Sequence, residues 1–388
     1  MAVRVLAEDG RQWRLAERIG QGGEGAVYTV EDAPQLVAKL VPRPPDPAAY
    51  RRRIERLVRQ RWEPRTVRLR AGGLAAADGS SGSSGGNGNG SSTLAWPLVA
   101  VTTVRGGVHG YLMADLRCRY QPLERLLAPA GRQEQLPGSS WATALRAAAG
   151  LASLLAALHA EAYLVGDLKP DNLWVDEWGG IGIADVDSWQ FTDHGQLFAC
   201  RMHTPGYTAP EAVADPRTAL TEAADDFVLA VLVHQLLLVG LHPFAGRPAD
   251  GNRYVSLDDN LLHGRCRLID RQSVVFTRPL PPFDLLPGRL AELFRSAFGP
   301  TGRRSPGQRP SAATWARALR AELADGRLRG CAENRRHVHS VERPWCPWCD
   351  LARRGHEEYP EEPVDAPPNR PAGQASRPTN TNTARRVK

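Results

Sequence analysis

The residues best suited to chemistry lie in the segment 166–172, which reads GDLKPDN. Phosphoryl transfer needs such a set. The Asp167 carboxylate positions or deprotonates an attacking hydroxyl, Lys169 meets the moving phosphate, and the Asn172 amide holds a metal ion. Asp185 follows thirteen residues after Asn172, at the end of the run IGIA, where it can bind a second metal position. Any one of these Asp residues could instead cap a turn, but the ordered set favours a phosphotransferase centre.

A glycine cluster near the start of the chain could bind phosphate. Gly20, Gly22 and Gly25 precede Val27 with the spacing G-x-G-x-x-G, which lets a turn between two strands lie over phosphates. The pattern alone is a weak signal, and a dinucleotide site would need a strand-to-helix turn. The strand-like run AVYTV that follows favours a hairpin.

Lysine is rare in this chain, which draws attention to each one. Of 49 basic residues only Lys39, Lys169 and Lys388 are lysines, so two of the three lie in the predicted phosphate site. Lys39 lies in the apolar run QLVAKL, twelve residues after Val27. A lysine in a buried strand is costly unless it meets anions; the alternative is an edge lysine whose ammonium reaches solvent.

The elements that must position these residues fall into a β-rich part and a helical part. Alternating runs predict strands in the first 40 residues, followed by a helix at 48–61, two more strands, and a long helix at 140–160 with Ser140 as its N-cap. Short strands are predicted at LWV (173–175) and IGI (181–183), within a mainly helical region that extends to about 325. The Gly/Ser-rich segment 78–93 predicts a flexible loop, and the Pro-rich segment 355–388 predicts a disordered tail. The predicted class is α+β, with an N-terminal lobe at about 10–116 and a helical lobe at about 117–325.

Taken in order, these motifs resemble the eukaryotic-type (Hanks-type) Ser/Thr protein kinase family over about residues 10–325. The resemblance implies a two-lobed kinase-like fold that binds ATP with Mg²⁺ or Mn²⁺. It also implies a role for each motif residue. Around the nucleotide would lie Gly20, Gly22, Gly25, Val27 and Met113, and Lys39, paired with Glu55, would bind the α- and β-phosphates. Asp167 would be the base, Lys169 would contact the transferred phosphate, and Asn172 and Asp185 would be the metal ligands.

The same resemblance extends to the segment that would dock a substrate. The sequence TPGYTAPE (204–211) is similar to the end of a kinase activation segment, and Arg309 is expected to pair with Glu211. Two motifs depart from the family. Val165-Gly166-Asp167 replaces His-Arg-Asp, and Asp185-Val186-Asp187 replaces Asp-Phe-Gly. Arg51 and Arg59, four residues either side of Glu55, compete for its carboxylate.

Several features are similar to those of a bacterial kinase subfamily. These are the stretch DVDSWQ, the HPF at 242–244 and the cysteine-containing tail. Such kinases are often encoded in tellurium-resistance-like (TerY-P type) clusters. The resemblance therefore implies a PP2C-type phosphatase and a von Willebrand A-type protein as partners.

The tail contains a candidate zinc site. Cys331, His337, Cys346 and Cys349 supply three thiols and an imidazole within 19 residues, with His339 as an alternative nitrogen ligand. A thioredoxin-like redox role for WCPWC fails, because no βαβ domain can be built from the remaining residues. Unligated thiols remain the other alternative. We expect a zinc knuckle at 331–350 that folds separately from the kinase-like domain.

Composition excludes some classes of function. The start of the chain has no apolar signal segment, and the longest apolar run, 227–241, is too short to span a bilayer. A cytoplasmic protein that does not bind membranes is therefore expected. Residues 51–70 contain nine Arg and two Glu, but no base-reading module accompanies them. A solvated helix face, or a docking surface for an acidic partner, is favoured over nucleic-acid binding.

The predicted function is an ATP-dependent protein Ser/Thr kinase. Two alternatives remain. A pseudokinase scaffold is motivated by the altered motifs, and a small-molecule kinase of the aminoglycoside type also has Gly before its catalytic Asp. Because Gly166 offers no cation to a phosphorylated activation segment, activity is expected not to depend on phosphorylation of Thr204 or Thr208. Control by partners, or by the position of the helix that carries Glu55, is expected instead.

Overall fold

The computed structural model describes residues 3–22, 25–60, 94–104, 106, 109–200, 202–251, 253–277 and 279–361. The predicted flexible loop at 78–93, the second half of the Arg-rich segment and the tail after residue 361 lie outside these ranges.

The N-terminal part is a closed barrel of six antiparallel strands in the order β1-β2-β3-β4-β6-β5. The strands are β1 (Val3–Ala7), β2 (Gln12–Gln21), β3 (Ala26–Val30), β4 (Leu36–Val41), β5 (Val99–Thr103) and β6 (His109–Ala114). Alternate residues of these strands point inward and form a core that includes Val5, Leu15 and Leu112. Because β1 pairs with both β2 and β5, this lobe begins at Val3 and not at about residue 10.

One helix, α1 (Pro47–Gln60), packs against the barrel. Pro47 occupies its first turn, and the Asp46 carboxylate accepts a hydrogen bond from the Ala49 N–H at 2.9 Å. Ile54 and Leu57 are buried, and the Leu57 carbonyl accepts a hydrogen bond from the Trp96 indole at 2.8 Å. The helix lies within one residue of the predicted range.

The C-terminal part is mainly helical, with two long helices at its centre. The helices are α2 (Glu124–Leu127), α3 (Pro129–Gln135), α4 (Trp141–Ala160), α5 (Pro210–Ala214), α6 (Glu222–Leu237), α7 (Leu257–Leu262), α8 (Gly288–Phe298), α9 (Pro300–Arg304) and α10 (Ala312–Glu322). The short strands are β7 (Gln121–Pro122), β8 (Leu173–Val175), β9 (Ile181–Ile183), β10 (Phe191–Asp193), β11 (Gln196–Phe198), β12 (Arg247–Pro248) and β13 (Val274–Val275). Helices α4, α6 and α10 share one large apolar core.

Helix α4 begins where the sequence predicts. The Ser140 N–H donates to Thr143 Oγ1 at 3.1 Å, which completes a capping box at the first turn. Among the described residues, α4 alone is long and apolar enough to span a membrane, and 83% of its apolar window is buried inside the fold. That burial is the property of a core helix.

A small module follows α10. It consists of β14 (Leu328–Gly330), β15 (Val338–Ser340) and α11 (Pro347–Arg353). The Trp348 ring is fully buried between Trp141 of α4 and Tyr359. The distance between ring centroids is 6.5 Å to Trp141 and 4.8 Å to Tyr359.

This packing corrects two expectations about the tail. The segment after Gly355 was expected to be disordered, but Glu358 and Tyr359 are buried, and Glu358 forms a buried ion pair with Arg132 of α3 at 2.6 Å. The module was also expected to fold separately, yet Trp348, Leu351 and Tyr359 belong to the core of the helical lobe. The sequence did not predict this packing, because Trp348 and Tyr359 are isolated aromatic residues in a polar segment, and nothing in that pattern indicates that they pack on the helical lobe.

Candidate active site

The segment 166–172 is held from below by the first turn of α6. The Val165 and Gly166 N–H groups each donate to the buried Asp225 carboxylate at 2.8 Å. Gly166 has φ of +71°, a left-handed conformation that favours glycine. The backbone that leads into Asp167 is therefore fixed by a charge on the central helix.

Asp167 is buried, and both of its carboxylate oxygens accept hydrogen bonds. Oδ2 accepts from Lys169 Nζ at 2.7 Å and from Asn172 Nδ2 at 3.2 Å, and Oδ1 accepts from the Thr204 hydroxyl at 2.7 Å. Lys169 Nζ also donates to the Thr204 hydroxyl at 3.3 Å. The structure thus brings together the predicted base, the predicted phosphate lysine and a hydroxyl.

Asn172 and Asp185 are brought side by side by the hairpin of β8 and β9. The Ala184 N–H donates to the Asn172 carbonyl at 2.9 Å, and Asp185 follows at once with φ of +58°. The Asn172 amide nitrogen donates to the Asp167 carbonyl at 2.9 Å, which leaves the amide oxygen available to a cation. An amide oxygen and the 37%-exposed Asp185 side chain are hard oxygen donors, so these residues fit Mg²⁺ or Mn²⁺.

Lys39 projects from β4 toward two aspartates. Its Nζ donates to Asp185 Oδ1 at 3.0 Å and to Asp187 Oδ1 at 2.8 Å, and the side chain is 5% exposed. Burial alone would lower the pKa of Lys39, but the charges of Asp187 and Asp185 outweigh it and raise this pKa above its ordinary value. Lys39 is therefore a fixed cation at the edge of the predicted phosphate site.

The expected pairing of Lys39 with Glu55 is wrong. Glu55 Oε1 accepts from Arg51 Nε at 2.6 Å, and Glu55 lines a groove on the barrel side of α1 beside Leu6 and Thr102. Tyr50 of α1 instead contacts a partner of Lys39: its hydroxyl donates a hydrogen bond to Asp187 Oδ2 at 3.2 Å. At 100° per residue, Glu55 lies about 140° around the helix from Tyr50, so the two cannot face the same partner.

The glycine cluster forms the predicted turn between β2 and β3. The Gly22 N–H donates to the Gly25 carbonyl at 2.9 Å, and a Cβ on Gly25 would collide with the Leu40 carbonyl of β4. A Cβ on Gly22 would meet nothing within 4 Å, so that part of the turn is open.

An apolar cluster lies beneath this turn and joins the two lobes. Its buried members include Val37, Met113 and Leu116, and partly exposed side chains of Ile19, Val27, Trp174 and Ala184 pack against them. Met113 pairs with Val37 in the register of β4 and β6. Flat apolar surface of this kind suits a purine base.

The segment 204–211 is anchored at its far end. Arg309 donates to both Glu211 oxygens, at 2.9 Å and 2.7 Å, and also to the Ala223 carbonyl at 2.8 Å. The predicted Glu211–Arg309 pair is therefore present. A bidentate pair with a buried guanidinium fixes the segment to α6.

The Arg-rich helix is not simply a solvated face. Arg53 donates to the carbonyls of Asp187, Trp189 and Ala199 at 3.2, 2.6 and 2.7 Å. Arg56 pairs with Asp193 at 2.9 Å. Within the described half of the Arg-rich segment, two arginines thus bind the chain's own loop after β9.

Sequence reasoning missed four residues of this site. These are Asp187, Tyr111, Thr204 as a contact of Asp167, and Trp174. The replacement of the usual glycine by Asp187 was a visible signal, because an acid in a tight turn must find a cation. Tyr111 and Trp174 gave no signal, since aromatic residues in strands are common.

The tail residues converge as a candidate metal centre. The ligand atoms of Cys331, His337, Cys346 and Cys349 all lie within 4.8 Å of one another. Cys331 Sγ lies 3.5 Å from Cys349 Sγ, and His337 Nδ1 lies 3.4 Å from Cys349 Sγ and 3.6 Å from Cys346 Sγ. Bonds of about 2.3 Å from zinc to sulfur and about 2.0 Å to nitrogen place tetrahedral ligand atoms about 3.5–3.8 Å apart. The three separations lie at or near this range, so the set fits zinc. His339 instead bonds the Ser340 carbonyl through Nδ1 at 3.0 Å.

A carboxylate outside this set fixes the orientation of His337. His337 Nε2 bonds Glu357 Oε1 at 3.0 Å, which leaves Nδ1 facing the thiols. Glu357 also accepts from the Tyr359 N–H at 3.0 Å. The candidate metal site is thereby connected to the buried Tyr359.

Comparison with known proteins gives one family match and several relatives. Residues 115–280 match the family model described as protein kinase domain. "Protein kinase YegI" of Escherichia coli (strain K12) is 28% identical over 360 residues, which is 91% of this chain and 51% of the relative. The protein of the same name from Escherichia coli O157:H7 is 28% identical over 344 residues, 87% of this chain and 48% of the relative.

Shorter matches fall on eukaryotic kinases. "Ribosomal protein S6 kinase alpha-2" of Mus musculus is 38% identical over 100 residues, 26% of this chain and 13% of the relative. The chain spans about half the length of the two bacterial relatives. Together, the family match and the kinase-named relatives show that this chain is similar to protein kinases.

Proposed function

We propose that this protein is an ATP- and Mg²⁺-dependent kinase that transfers the γ-phosphoryl group to Ser or Thr hydroxyls of a protein. One observation carries the proposal. The buried Asp167 carboxylate accepts hydrogen bonds from Lys169, Asn172 and Thr204. Asn172 in turn bonds Ala184, the residue before Asp185. Phosphoryl transfer depends on positioning and charge, and this arrangement supplies both.

Each residue has a proposed part in the reaction. Asp167 orients the acceptor hydroxyl and takes its proton, while Lys169 neutralises charge on the transferred group. Bound Mg²⁺ would neutralise charge on the phosphates, and Asn172 and Asp185 would hold it. Lys39 and the glycine turn would bind the remaining phosphate oxygens.

Specificity for Ser or Thr is supported by Thr204. Its hydroxyl donates to Asp167 and accepts from Lys169, so an aliphatic hydroxyl already fits between the proposed base and the proposed phosphate lysine. A substrate side chain of the same length would bring its oxygen to the same neighbourhood.

The two alternatives are less well supported. The Glu211–Arg309 pair secures a segment of the kind that docks a peptide, which argues against a small-molecule kinase. A pseudokinase would be expected to have lost a charged position of the motifs. All four such positions are present here, as the pairs Lys39–Asp185 and Asp167–Lys169.

A phosphotransfer assay tests the proposal. The full chain is incubated with γ-labelled ATP and Mg²⁺, alone and with generic protein acceptors, and the label is assigned by phosphoamino-acid analysis. Asp185→Asn should lose the label, whereas Asp215→Asn, at an exposed carboxylate paired with Arg217, should retain it. Nucleotide binding without transfer would favour the pseudokinase, and labelled phosphotyrosine would contradict the Ser/Thr assignment.

We also propose a structural zinc ion on Cys331, His337, Cys346 and Cys349, supported by their mutual distances and by Glu357 behind His337. The cytoplasmic location, the protein substrate and the PP2C-type and von Willebrand A-type partners remain predictions. Co-purification from the native cell tests the partners.

A further inference from the structure

Asp187 is a further buried acid of the site, besides Asp167 and Asp225. Asp187 is 5% exposed and accepts three hydrogen bonds from side chains. Its Oδ1 accepts from Lys39 Nζ at 2.8 Å and from the Tyr111 hydroxyl at 2.8 Å, and its Oδ2 accepts from the Tyr50 hydroxyl at 3.2 Å. A buried carboxylate with this many donors is held in one orientation.

Asp185 and Asp187 differ in how they meet Lys39. The Asp185 side chain is 37% exposed, whereas that of Asp187 is 2% exposed. Asp185 is therefore free to turn toward a metal ion, while Asp187 stays in place. Of the two carboxylates that bond Lys39 within the described residues, Asp187 is thus independent of the metal.

We propose that Asp187 is the positioning residue for Lys39, and that it replaces a carboxylate from helix α1 in this role. The inference rests on the proposed kinase function and deepens it. Lys39 is buried, and its ammonium needs a permanent counter-charge to point at phosphates. Glu55, the acid that α1 offers, is bonded to Arg51 on another face of the helix.

The assignment has a structural consequence for α1. Its contribution to the site is a hydroxyl, from Tyr50, and a guanidinium, from Arg53, which donates to the Asp187 carbonyl. Both groups bind the segment after β9. The helix thus braces the residue that positions Lys39.

The test compares the two candidate carboxylates by isosteric changes, Asp187→Asn and Glu55→Gln. Because the chain has only three lysines, ¹⁵N-labelled lysine yields at most three ammonium signals, and an enclosed, ion-paired Lys39 should give a slowly exchanging one. We expect Asp187→Asn to abolish this signal and to lower kcat/KM for ATP at least tenfold. Glu55→Gln should keep the signal and stay within twofold of the wild type.

A matched control is Asp193→Asn, which removes another acid of the same segment that pairs with α1 through Arg56. It should leave the Lys39 signal in place. If Asp187→Asn does not fold, Tyr111→Phe removes one donor to the same oxygen and should weaken the signal. Loss of the signal in Glu55→Gln, or its survival in Asp187→Asn, would overturn the proposal.

The spectroscopic result does not depend on turnover. A wild type that binds nucleotide but transfers no phosphate would refute the proposed function while the Lys39 signal still reports on Asp187. Conversely, an active enzyme whose Lys39 signal depends on Glu55 would refute the role of Asp187 alone.

Discussion

Asp167 receives hydrogen bonds from three side chains in two segments of the chain, so its orientation does not depend on substrate. Asp167→Asn keeps the shape and removes the charge. We expect phosphoryl transfer to fall by about 10²–10⁴, because general-base catalysis contributes that much, while ATP binding stays nearly intact. Turnover and nucleotide titration measure the two effects separately. Wild-type turnover in the variant would show that Asp167 is not the base.

Asp226 on α6 provides a pH-dependent test of stability. Burial raises its pKa to about 7, and its Oδ1 accepts from the Ala312 N–H at 2.7 Å. Between about pH 4 and pH 7 the folded state therefore keeps a proton on Asp226 that the unfolded state has lost. The contribution of Asp226 to the free energy of unfolding thus falls as the pH rises from about 4 to about 7, and it stays constant above that.

Asp226→Asn should remove this fall in stability with pH, because an amide does not titrate. Its oxygen can still accept the hydrogen bond from the Ala312 N–H. The melting temperature of the variant, relative to wild type, should rise from pH 5 to pH 8. Asp215→Asn, at an exposed position, is the control and should show no such trend. A difference that is constant with pH would contradict the raised pKa.

Among single residues, the sequence predicted most of those that lie together at the candidate site, because their spacing is fixed by short local structure. Asp167, Lys169 and Asn172 lie within one turn, and the hairpin that follows brings up Asp185. The partner of Lys39 was mispredicted because the rotation of α1 is set by the burial of Ile54 and Leu57, and not by local sequence.

At the scale of elements, the segment between β9 and α5 is held in place by contacts that do not require a phosphorylated residue. A Cβ on Gly166 would lie 2.7 Å from Cys200 Sγ and 2.7 Å from Leu220, so the space for an arginine side chain is filled. Burial raises the pKa of Cys200 to about 11, so it is a neutral packing residue. Arg53 holds the same segment through backbone carbonyls.

We therefore expect phosphatase treatment to leave activity on an exogenous substrate within about twofold. The comparison is between treated and untreated enzyme, with the phosphatase removed before assay. A tenfold drop, which corresponds to about 1.4 kcal/mol in the barrier, would rule out this independence. Thr204→Ala is unsuitable as a mimic because it also removes the hydrogen bond to Asp167.

Most elements were predictable from periodicity, and those that were missed depend on distant partners. Helices α1 and α4 and strands β8 and β9 follow from local patterns and caps. The closure of the barrel by β1 depends on its pairing with β5, about a hundred residues away, and periodicity carries no information about such pairing.

For the whole molecule, the tail module is part of the helical lobe. Trp348 packs on Trp141, and Arg132 donates to the Glu358 carboxylate and carbonyl, so losing the module exposes the lobe's core and leaves a buried guanidinium unpaired. Because a structural zinc ion contributes on the order of 10–16 kcal/mol to small modules, metal loss should destabilise the whole lobe.

Cys346→Ser should thus abolish about one bound zinc per chain and lower the melting temperature of the main calorimetric transition by several degrees. Cys118→Ser, at an exposed cysteine away from the module, is the control and should change neither. A main transition unchanged after metal loss would restore the expectation of a separate tail, and absence of zinc from chelator-free protein would refute the site.

The position of this module along the chain also sets an order of assembly. A ribosome releases residues 141–160 long before residues 347–359. During synthesis, Trp141 and Arg132 are therefore made well before Trp348 and Glu358, their partners more than two hundred positions downstream. A nascent chain stopped after α10 has every proposed phosphotransfer residue but an open apolar base. Such a chain is expected to engage chaperones. Because the segment that completes the lobe carries the cysteines, the proposed zinc site would couple maturation of the protein to the supply of metal in the cell.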